Sequence, residues 1–95
     1  MTTVVIVSET HYESFFFFKQ ICSDLFNLNF DFKTYSDYLI TLQDIKIMFV
    51  FNSNLDHLRG LQIDTLLIRD SRTSYETNAY LINFIIPRVK EVIYI

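Results

Sequence analysis

Two short apolar runs, TVVIV at residues 3–7 and DTLLI at residues 64–68, constrain the fold of this chain more than any other feature. Unbroken apolar runs of this length, rich in β-branched residues, are typical of strands buried on both faces of a sheet. Each run leads through a short polar loop into Thr-x-Tyr-Glu, at residues 10–13 and 73–76. This spacing is that of a capping box, so both units read as strand, loop and helix.

The remaining elements are predicted from breaks in the hydrophobic pattern. The first helix is expected to extend to about Phe26 and the second to about Ile86, because Pro87 ends it. The run EVIYI at residues 91–95 is expected to be a last strand, and Asn52-Ser53-Asn54 is expected to cap a helical turn through Leu58. FDFKTYS, at residues 30–36, is either a strand or an irregular link.

An antiparallel hairpin is predicted at residues 38–51. The segment YLITLQDIKIMFVF has apolar stretches on both sides of Gln43-Asp44, which gives strands at residues 38–42 and 45–51. A helix over residues 35–42 is the alternative. We therefore expect one α/β domain over residues 1–95: a small, mostly parallel sheet flanked by helices, joined by right-handed crossovers, with this hairpin included.

Four consecutive phenylalanines, residues 15–18, lie in the first predicted helix. At 100° per residue, one broad face carries Phe15, Phe18, Ile21, Cys22, Leu25 and Phe26. Phe17 falls on the border of that face and Phe16 points with the polar residues. Either the helix lies between two layers, or Phe16 and Phe17, together with Gln20, contact another molecule. The third interpretation is a single exposed aromatic side chain without a function, which is common in monomers.

Composition excludes several classes of protein. The chain has 95 residues, of which 51% are hydrophobic, and this content rules out a disordered chain. Its net charge of −3 gives no general attraction to duplex DNA or to an anionic membrane, and we expect no targeting or transmembrane segment. A single cysteine, Cys22, cannot form an internal disulfide, so a cytoplasmic protein is expected.

Polar residues after the two buried strands form the one candidate site for chemistry. The carboxyl ends of parallel strands meet at one edge of a sheet, where α/β folds place ligands. This edge is expected to gather Ser8, Glu9, His11, Asp70 and Arg72, with Ser71 between the last two. His11, with either Glu9 or Asp70, could form an acid/base pair or a partial metal site. Solvated loop and capping residues are the alternative interpretation.

No complete catalytic, cofactor or metal motif is present. Cys22 has no histidine at a triad-like spacing and is expected to be a core thiol, while His57 has no second ligand nearby in sequence and is expected at the surface. One glycine cannot build a P-loop or a G-x-G-x-x-G turn. We therefore predict no catalytic residue, no metal and no cofactor.

Two segments together resemble a known family. VVIVSETHYESFFFFKQICSDL resembles the second strand and helix of the ATPase domain of phage terminase large subunits and related helicase-like motors. IMFVFNSNLDHLRGLQIDTLLIRD resembles their later block, in which an Arg-Gly pair, an aspartate and an apolar strand precede the acidic Walker B pair. The resemblance covers most of the chain and implies a truncated P-loop-NTPase-like fold.

The departures from that family imply loss of its activity. Arg69 and Asp70 stand where the family has Asp-Glu, and an arginine repels magnesium. The strand with the phosphate-binding loop and its lysine has no counterpart in the sequence, so phosphoryl transfer would lack its electrostatic stabilisation. The resemblance thus implies a hydrolytically dead remnant, whose sheet is either rearranged or left with an edge that needs a partner.

Three functions follow as hypotheses. The first is a non-catalytic interaction protein, encoded by a phage or mobile element, that binds a protein partner or a second copy of itself. The second is a nucleic-acid-binding accessory module, with aromatic residues and Arg59, Arg69 and Arg72 supplying the contacts. The third is a small enzyme that uses Glu9, His11 and Asp70.

Overall fold

A computed structural model describes residues 1–35, 38–69 and 73–95 of this chain. The strands are β1 (Thr2–Ser8), β2 (Lys33–Tyr35), β3 (Leu39–Leu42), β4 (Ile45–Phe51), β5 (Ile63–Ile68) and β6 (Val89–Tyr94). The helices are α1 (His11–Asn27), a 3₁₀ helix (Asn52–Leu58) and α2 (Tyr75–Tyr80), the last continued by a π turn (Leu81–Ile85) and a 3₁₀ turn (Ile86–Arg88). Within the described residues no helix combines the length and apolarity that crossing a bilayer requires.

All six strands form one mixed sheet in the order β2-β3-β4-β1-β5-β6. β1 pairs in parallel with β4 on one side and β5 on the other, and β5 pairs in parallel with β6. β2, β3 and β4 are joined antiparallel, which confirms the hairpin and excludes the alternative helix at residues 35–42. The sheet is therefore mixed, because the strands that follow α1, β2 and β3, add to β4 in antiparallel pairing at one side of the sheet.

β1 occupies the centre of the sheet, as its sequence predicts. Val5 and Val7 are fully buried, and Val5 lies opposite Met48 on β4 and Leu66 on β5. Such a strand has neighbours on both edges and layers on both faces. The side chains from Val5 to Ser8 are therefore all buried, and those of residues 5–7 are all apolar. The strand that starts the chain is thus the strand around which the sheet is built.

Helices cover the two faces of the sheet. On one face α1 packs through Phe17, Phe18, Ile21, Cys22 and Leu25 against a core that includes Ile6, Ile40 and Phe49. On the other face the 3₁₀ helix and the α2 region bury Leu55, Leu58, Leu81 and Ile85 against alternate residues of β1, β4 and β5. The alternation of strand side chains divides the interior into these two cores.

The two predicted helix caps differ in outcome. At α1 the Thr10 hydroxyl accepts a hydrogen bond from the Glu13 amide, as the capping-box spacing predicts. At α2 the cap predicted at Thr73 is wrong: Ser74 is the N-cap, and its hydroxyl accepts from the Thr77 amide at 3.2 Å. Thr73 instead donates its hydroxyl to the Arg69 carbonyl. The tertiary contact with the end of β5 thus shifts the helix start by one residue.

Pro87 changes the second helical segment without ending it at Ile86. Proline has no N–H, and its ring crowds the carbonyl four residues earlier, so an α-helical ladder cannot continue through it. The chain responds by leaving α geometry at Leu81, forming the π turn over Leu81–Ile85 and placing Pro87 inside the 3₁₀ turn of Ile86–Arg88. The segment from Tyr75 therefore remains a continuous run of helical turns up to Val89, where β6 begins.

Candidate functional site

The outer side of α1 carries the most concentrated exposed aromatic surface that the described residues show on one helix. Tyr12 and Phe26 are each 76% exposed, Phe16 is 54% exposed and Phe15 is 40% exposed. These four side chains lie along the solvent side of one 17-residue helix and are called here the aromatic face of α1. The sequence interpretation placed Phe15 and Phe26 toward the core, and the structure corrects both positions.

The three residues of the predicted partner contact do not share one environment. Phe16 is exposed, whereas Phe17 is half-buried in the core beneath the Arg69 guanidinium, which lies 4.5 Å from its ring centroid. Gln20 is exposed and donates its side-chain amide to Asp24 at 3.2 Å. Phe16 and Phe17 touch each other with their ring centroids 5.8 Å apart. Phe16 can therefore meet a partner directly, while Phe17 supports it from below.

Glu9 connects three elements at the carboxyl edge of the sheet. Its carboxylate accepts hydrogen bonds from the Ser74 amide at 3.0 Å and from the Asn52 side chain at 3.3 Å. Burial raises the pKa of Glu9, but the hydrogen bonds from Ser74, Thr77 and Asn52 together lower it by more than burial raises it. The net shift of the pKa is therefore downward. The ionised carboxylate thus joins the end of β1 to the 3₁₀ helix and to the start of α2.

A cleft of about 480 Å³ opens beside Glu9, and we call it the carboxyl-edge cleft. Asp56 and Glu76 line it together with Glu9, Ser74 and Tyr80. The Tyr80 hydroxyl donates to Asp56 at 2.7 Å, and this hydrogen bond raises the pKa of the Tyr80 phenol. Three carboxylates around one cleft oppose the binding of a phosphate, which is the group that a nucleotide site must hold.

His11 does not join Glu9. Its Nε2 lies 2.6 Å from the Tyr38 hydroxyl, and its ring packs edge-on against Phe51 with centroids 5.1 Å apart. Ser8 is fully buried, and its hydroxyl has no hydrogen-bond partner within the described part of the chain. Asp70 and Arg72 lie outside the described residues. The structure therefore brings Glu9 to the carboxyl-edge cleft and His11 to a different one.

The second cleft, of about 530 Å³, lies where β4 extends past the start of β3. Both histidines of the chain line it, and so do Tyr35, Tyr38, Phe51 and Asn54; we call it the histidine cleft. His57 was interpreted as an isolated surface residue, and it is exposed, yet it shares this cleft with His11. The sequence offered no signal for this, since 46 positions separate the two histidines and no short motif joins them.

Two of the three arginines of the nucleic-acid hypothesis lie far apart, and the third, Arg72, lies outside the described residues. Arg59 precedes β5 and stacks its guanidinium 4.6 Å from the Phe84 centroid on the α2 side of the sheet. Arg69 follows β5 and stacks on Phe17 on the α1 side. Because a six-residue strand is about 20 Å long, the two cations lie at opposite ends and on opposite faces of the domain. Together they form no continuous basic path for a phosphate backbone.

The described residues show how the candidate metal ligands and the single thiol are placed. Over residues 1–35, 38–69 and 73–95 no group of three or more histidine, cysteine, aspartate or glutamate side chains is arranged to hold a metal ion. Cys22 is half-buried in the α1 core, and burial raises the pKa of its thiol against the opposing charge of Lys19. A raised pKa keeps the sulfur protonated and weakly nucleophilic at neutral pH.

No protein-family model, curated protein or solved structure matches this chain.

Proposed function

We propose that this protein is a small, non-catalytic, cytoplasmic interaction protein that binds a partner protein through the aromatic face of α1. The observation that carries the proposal is the exposure of four aromatic side chains, Tyr12, Phe15, Phe16 and Phe26, on one side of one helix. Isolated exposed aromatics are common in monomers, but several on one side of a single helix are a feature of binding surfaces. Aromatic side chains, phenylalanine among them, are also enriched at the cores of protein interfaces.

The partner is expected to offer an apolar groove with at least one carboxylate. Lys19 lies within the aromatic face, with its ammonium 5.3 Å from the Phe15 ring centroid. A helix face of this kind binds by laying its side chains into a groove, and a carboxylate opposite Lys19 would satisfy the one cation that the groove covers. Gln20 and Asp24 lie beside the face and are held to each other by a hydrogen bond.

A second copy of this chain fits the aromatic face less well. Lys19 is the middle residue of α1, so an antiparallel pair centred on the helix, or a parallel pair in register, brings two ammonium groups together. Like charges opposite each other in an interface are destabilising. The net charge of −3 on each copy adds a further repulsion.

The proposal is tested by cross-linking at two matched positions. Benzoylphenylalanine is placed at Phe16 in one sample and at Tyr75, which is 85% exposed on α2, in the other. We expect a distinct cross-linked partner from position 16 only. That partner, purified, should bind wild type and the Tyr75→Asp variant but not Phe16→Asp.

Light scattering on the free protein decides between the two kinds of partner. A monomer that cross-links to a different protein supports the proposal. A dimer that Phe16→Asp abolishes would show instead that the aromatic face binds a second copy of this chain. Equal cross-linking from both positions, or binding that Phe16→Asp leaves unchanged, contradicts the use of this face.

The origin of the chain in a terminase-like ATPase of a phage or mobile element stays a prediction. The acidic carboxyl-edge cleft and the arginine at position 69 favour a fold that no longer handles nucleotides. We expect magnesium-ATP to leave the amide spectrum of the purified protein unchanged and to undergo no turnover. Specific ATP binding with hydrolysis would show that the protein is a catalyst after all.

A further inference from the structure

Beyond protein binding, the histidine cleft has the composition of a small-molecule site. Hydrophobic residues of β3 and β4 line it, among them Leu39, Met48 and Phe49, together with aromatic rings and two imidazoles. A volume of about 530 Å³ is within the range of ligand pockets in proteins. The cleft exists because β3 stops pairing at Leu39, opposite Met48, and leaves the last residues of β4 uncovered on that side.

Tyr38, in the wall of this cleft, is held in a costly backbone conformation. Its φ of 60° is in the left-handed region, which costs a non-glycine residue about 1–2 kcal/mol. Its carbonyl accepts a hydrogen bond from the Phe49 amide at 2.9 Å, and the rings of Phe15, Phe18 and His11 surround its own. Strained residues fixed by their surroundings in this way cluster at ligand sites.

The polar groups of the cleft include hydrogen-bond donors. If the Tyr38 phenol donates to His11 Nε2, the tautomer of His11 leaves its proton on Nδ1. Asn54 accepts the Phe51 amide through Oδ1 at 2.8 Å, which leaves its NH₂ group as a donor. His57 adds a second imidazole that is exposed to incoming molecules.

From these features we infer that the histidine cleft binds a planar aromatic carboxylate. The ring surfaces of Tyr35, Tyr38 and Phe51 suit a flat aromatic body. The imidazole and amide donors suit the carboxylate, since hydrogen bonds to a charged acceptor are the stronger ones. Phe16 does not line this cleft, and the two surfaces adjoin only at Phe15, whose ring packs against Tyr38.

The test is an amide-spectrum titration of the full chain with 2-naphthoate. We expect saturable shifts at Phe51, Asn54 and His57, and roughly tenfold weaker binding in His57→Ala, the loss of one hydrogen bond to a charged group. Tyr38→Phe, which keeps the ring but releases His11, should weaken binding as well. Phe16→Asp should bind like wild type, and so should Asn83→Ala in a third cleft, which Arg59, Phe84 and Arg88 also line.

Two matched compounds separate the parts of the recognition. Naphthalene-2-carboxamide keeps the rings and lacks the charge, and cyclohexanecarboxylate keeps the charge and lacks the aromatic ring; both should bind more weakly than 2-naphthoate. The inference is overturned by the absence of saturable shifts up to the solubility limit, by shifts that map to Arg59 and Arg88 instead, or by affinity that His57→Ala leaves unchanged. His57 is exposed, so the His57→Ala variant should keep the fold, and its amide spectrum checks this directly.

Discussion

At the scale of single residues, two buried serine hydroxyls stand out where β1 ends and α1 begins. Ser8 is fully buried and Ser14 is 1% exposed, and neither hydroxyl has a hydrogen-bond partner within the described part of the chain. A buried hydroxyl without a partner costs about 1–3 kcal/mol. Ser14 is small enough to let the start of α1 approach the sheet closely, which is the structural use of a small side chain at this position.

Replacing Ser14 by alanine should therefore stabilise the protein. We expect the free energy of unfolding to rise by about 1 kcal/mol, because the change removes an unsatisfied hydroxyl and improves helix propensity. Urea unfolding followed by circular dichroism measures this. Ser23→Ala, on the exposed side of the same helix, is the control and should give only the propensity gain of about 0.5 kcal/mol. A destabilised Ser14→Ala would mean that a buried water satisfies the hydroxyl.

Gly60 offers a second test at a single residue. Its φ of 81° is in the left-handed region, and a Cβ added there would meet nothing within 4 Å. The cost of Gly60→Ala is therefore backbone strain alone, and we expect about 1 kcal/mol of destabilisation in urea unfolding. Gly60→Asn should cost less, since asparagine tolerates this conformation better. Equal costs for both variants would point to a contact of the side chain instead of the backbone.

At the scale of elements, α1 shows how packing distributes a run of four phenylalanines. Phe17 and Phe18 enter the core, while Phe15 and Phe16 stay largely outside. The buried face is turned by roughly 45° from the face that the sequence pattern predicts, at 100° per residue. The reason is that the helix approaches the sheet through Ser14 and Phe17, so Phe15 and Phe26 rotate toward solvent.

This distribution predicts unequal effects for neighbouring phenylalanines. Phe17→Ala should lower the free energy of unfolding by about 2–3 kcal/mol, somewhat below the cost for a fully buried ring, because it leaves a gap beneath Arg69. Phe16→Ala should cost under about 1 kcal/mol, since it loses little beyond its edge contact with Phe17. Chemical denaturation of both variants provides the comparison. Similar losses for the two would contradict the orientation of α1.

At the scale of the whole molecule, one carboxylate ties the elements together at each end of the sheet. Glu9 joins β1, the 3₁₀ helix and α2 at the carboxyl edge. Asp64 on β5 accepts the Thr3 amide of β1 at 2.8 Å and forms an ion pair with Lys90 of β6 at 3.1 Å at the opposite edge. Because both groups act as anions, the stability of the domain should depend on pH in the acid range.

Glu9→Gln should reduce stability at neutral pH. Although burial raises the pKa of Glu9, its hydrogen bonds lower it below the ordinary value of 4.5, so the stabilisation is present above pH 4.5 and lost as the pH falls through the folded value. We expect a loss of about 1–2 kcal/mol at pH 7 that shrinks at pH 3. Glu76→Gln, in the same cleft but exposed, should change stability by less than about 0.5 kcal/mol. A loss that is independent of pH would contradict the role of the charge.

Asp64→Asn should make unfolding less sensitive to acid. The Thr3 amide, followed by Lys90, holds the pKa of Asp64 below its ordinary value of 3.8, so its stabilisation is present above that pH and lost below it. We expect the wild type to lose stability relative to the variant as the pH falls through this range. Midpoints of thermal unfolding from pH 6 to pH 2 measure the effect, and Asp31→Asn, in an exposed loop, is the control. Parallel pH curves for wild type and Asp64→Asn would rule out this linkage.

The sequence by itself determined the elements whose signals are local. The apolar runs became β1 and β5, the pattern around Gln43 became the β3–β4 hairpin, and Thr10 became the cap of α1. Each depends on interactions between residues close in the chain: alternation of side chains, turn geometry and a hydroxyl three residues from its amide. Such signals are present before the chain has folded, so they can be found without knowing the tertiary structure.

Only the tertiary structure decided which side chains meet. Glu9 bonds to Ser74 across 65 positions, and His11 meets Tyr38 across 27, while the sequence pattern placed Glu9 and His11 together. Their partners depend on the strand order, on the start of α2 at Ser74 and on the rotation of α1 against the sheet. Contacts of this kind form only when packing has closed the long loops between the two residues. No local pattern in the sequence therefore specifies them.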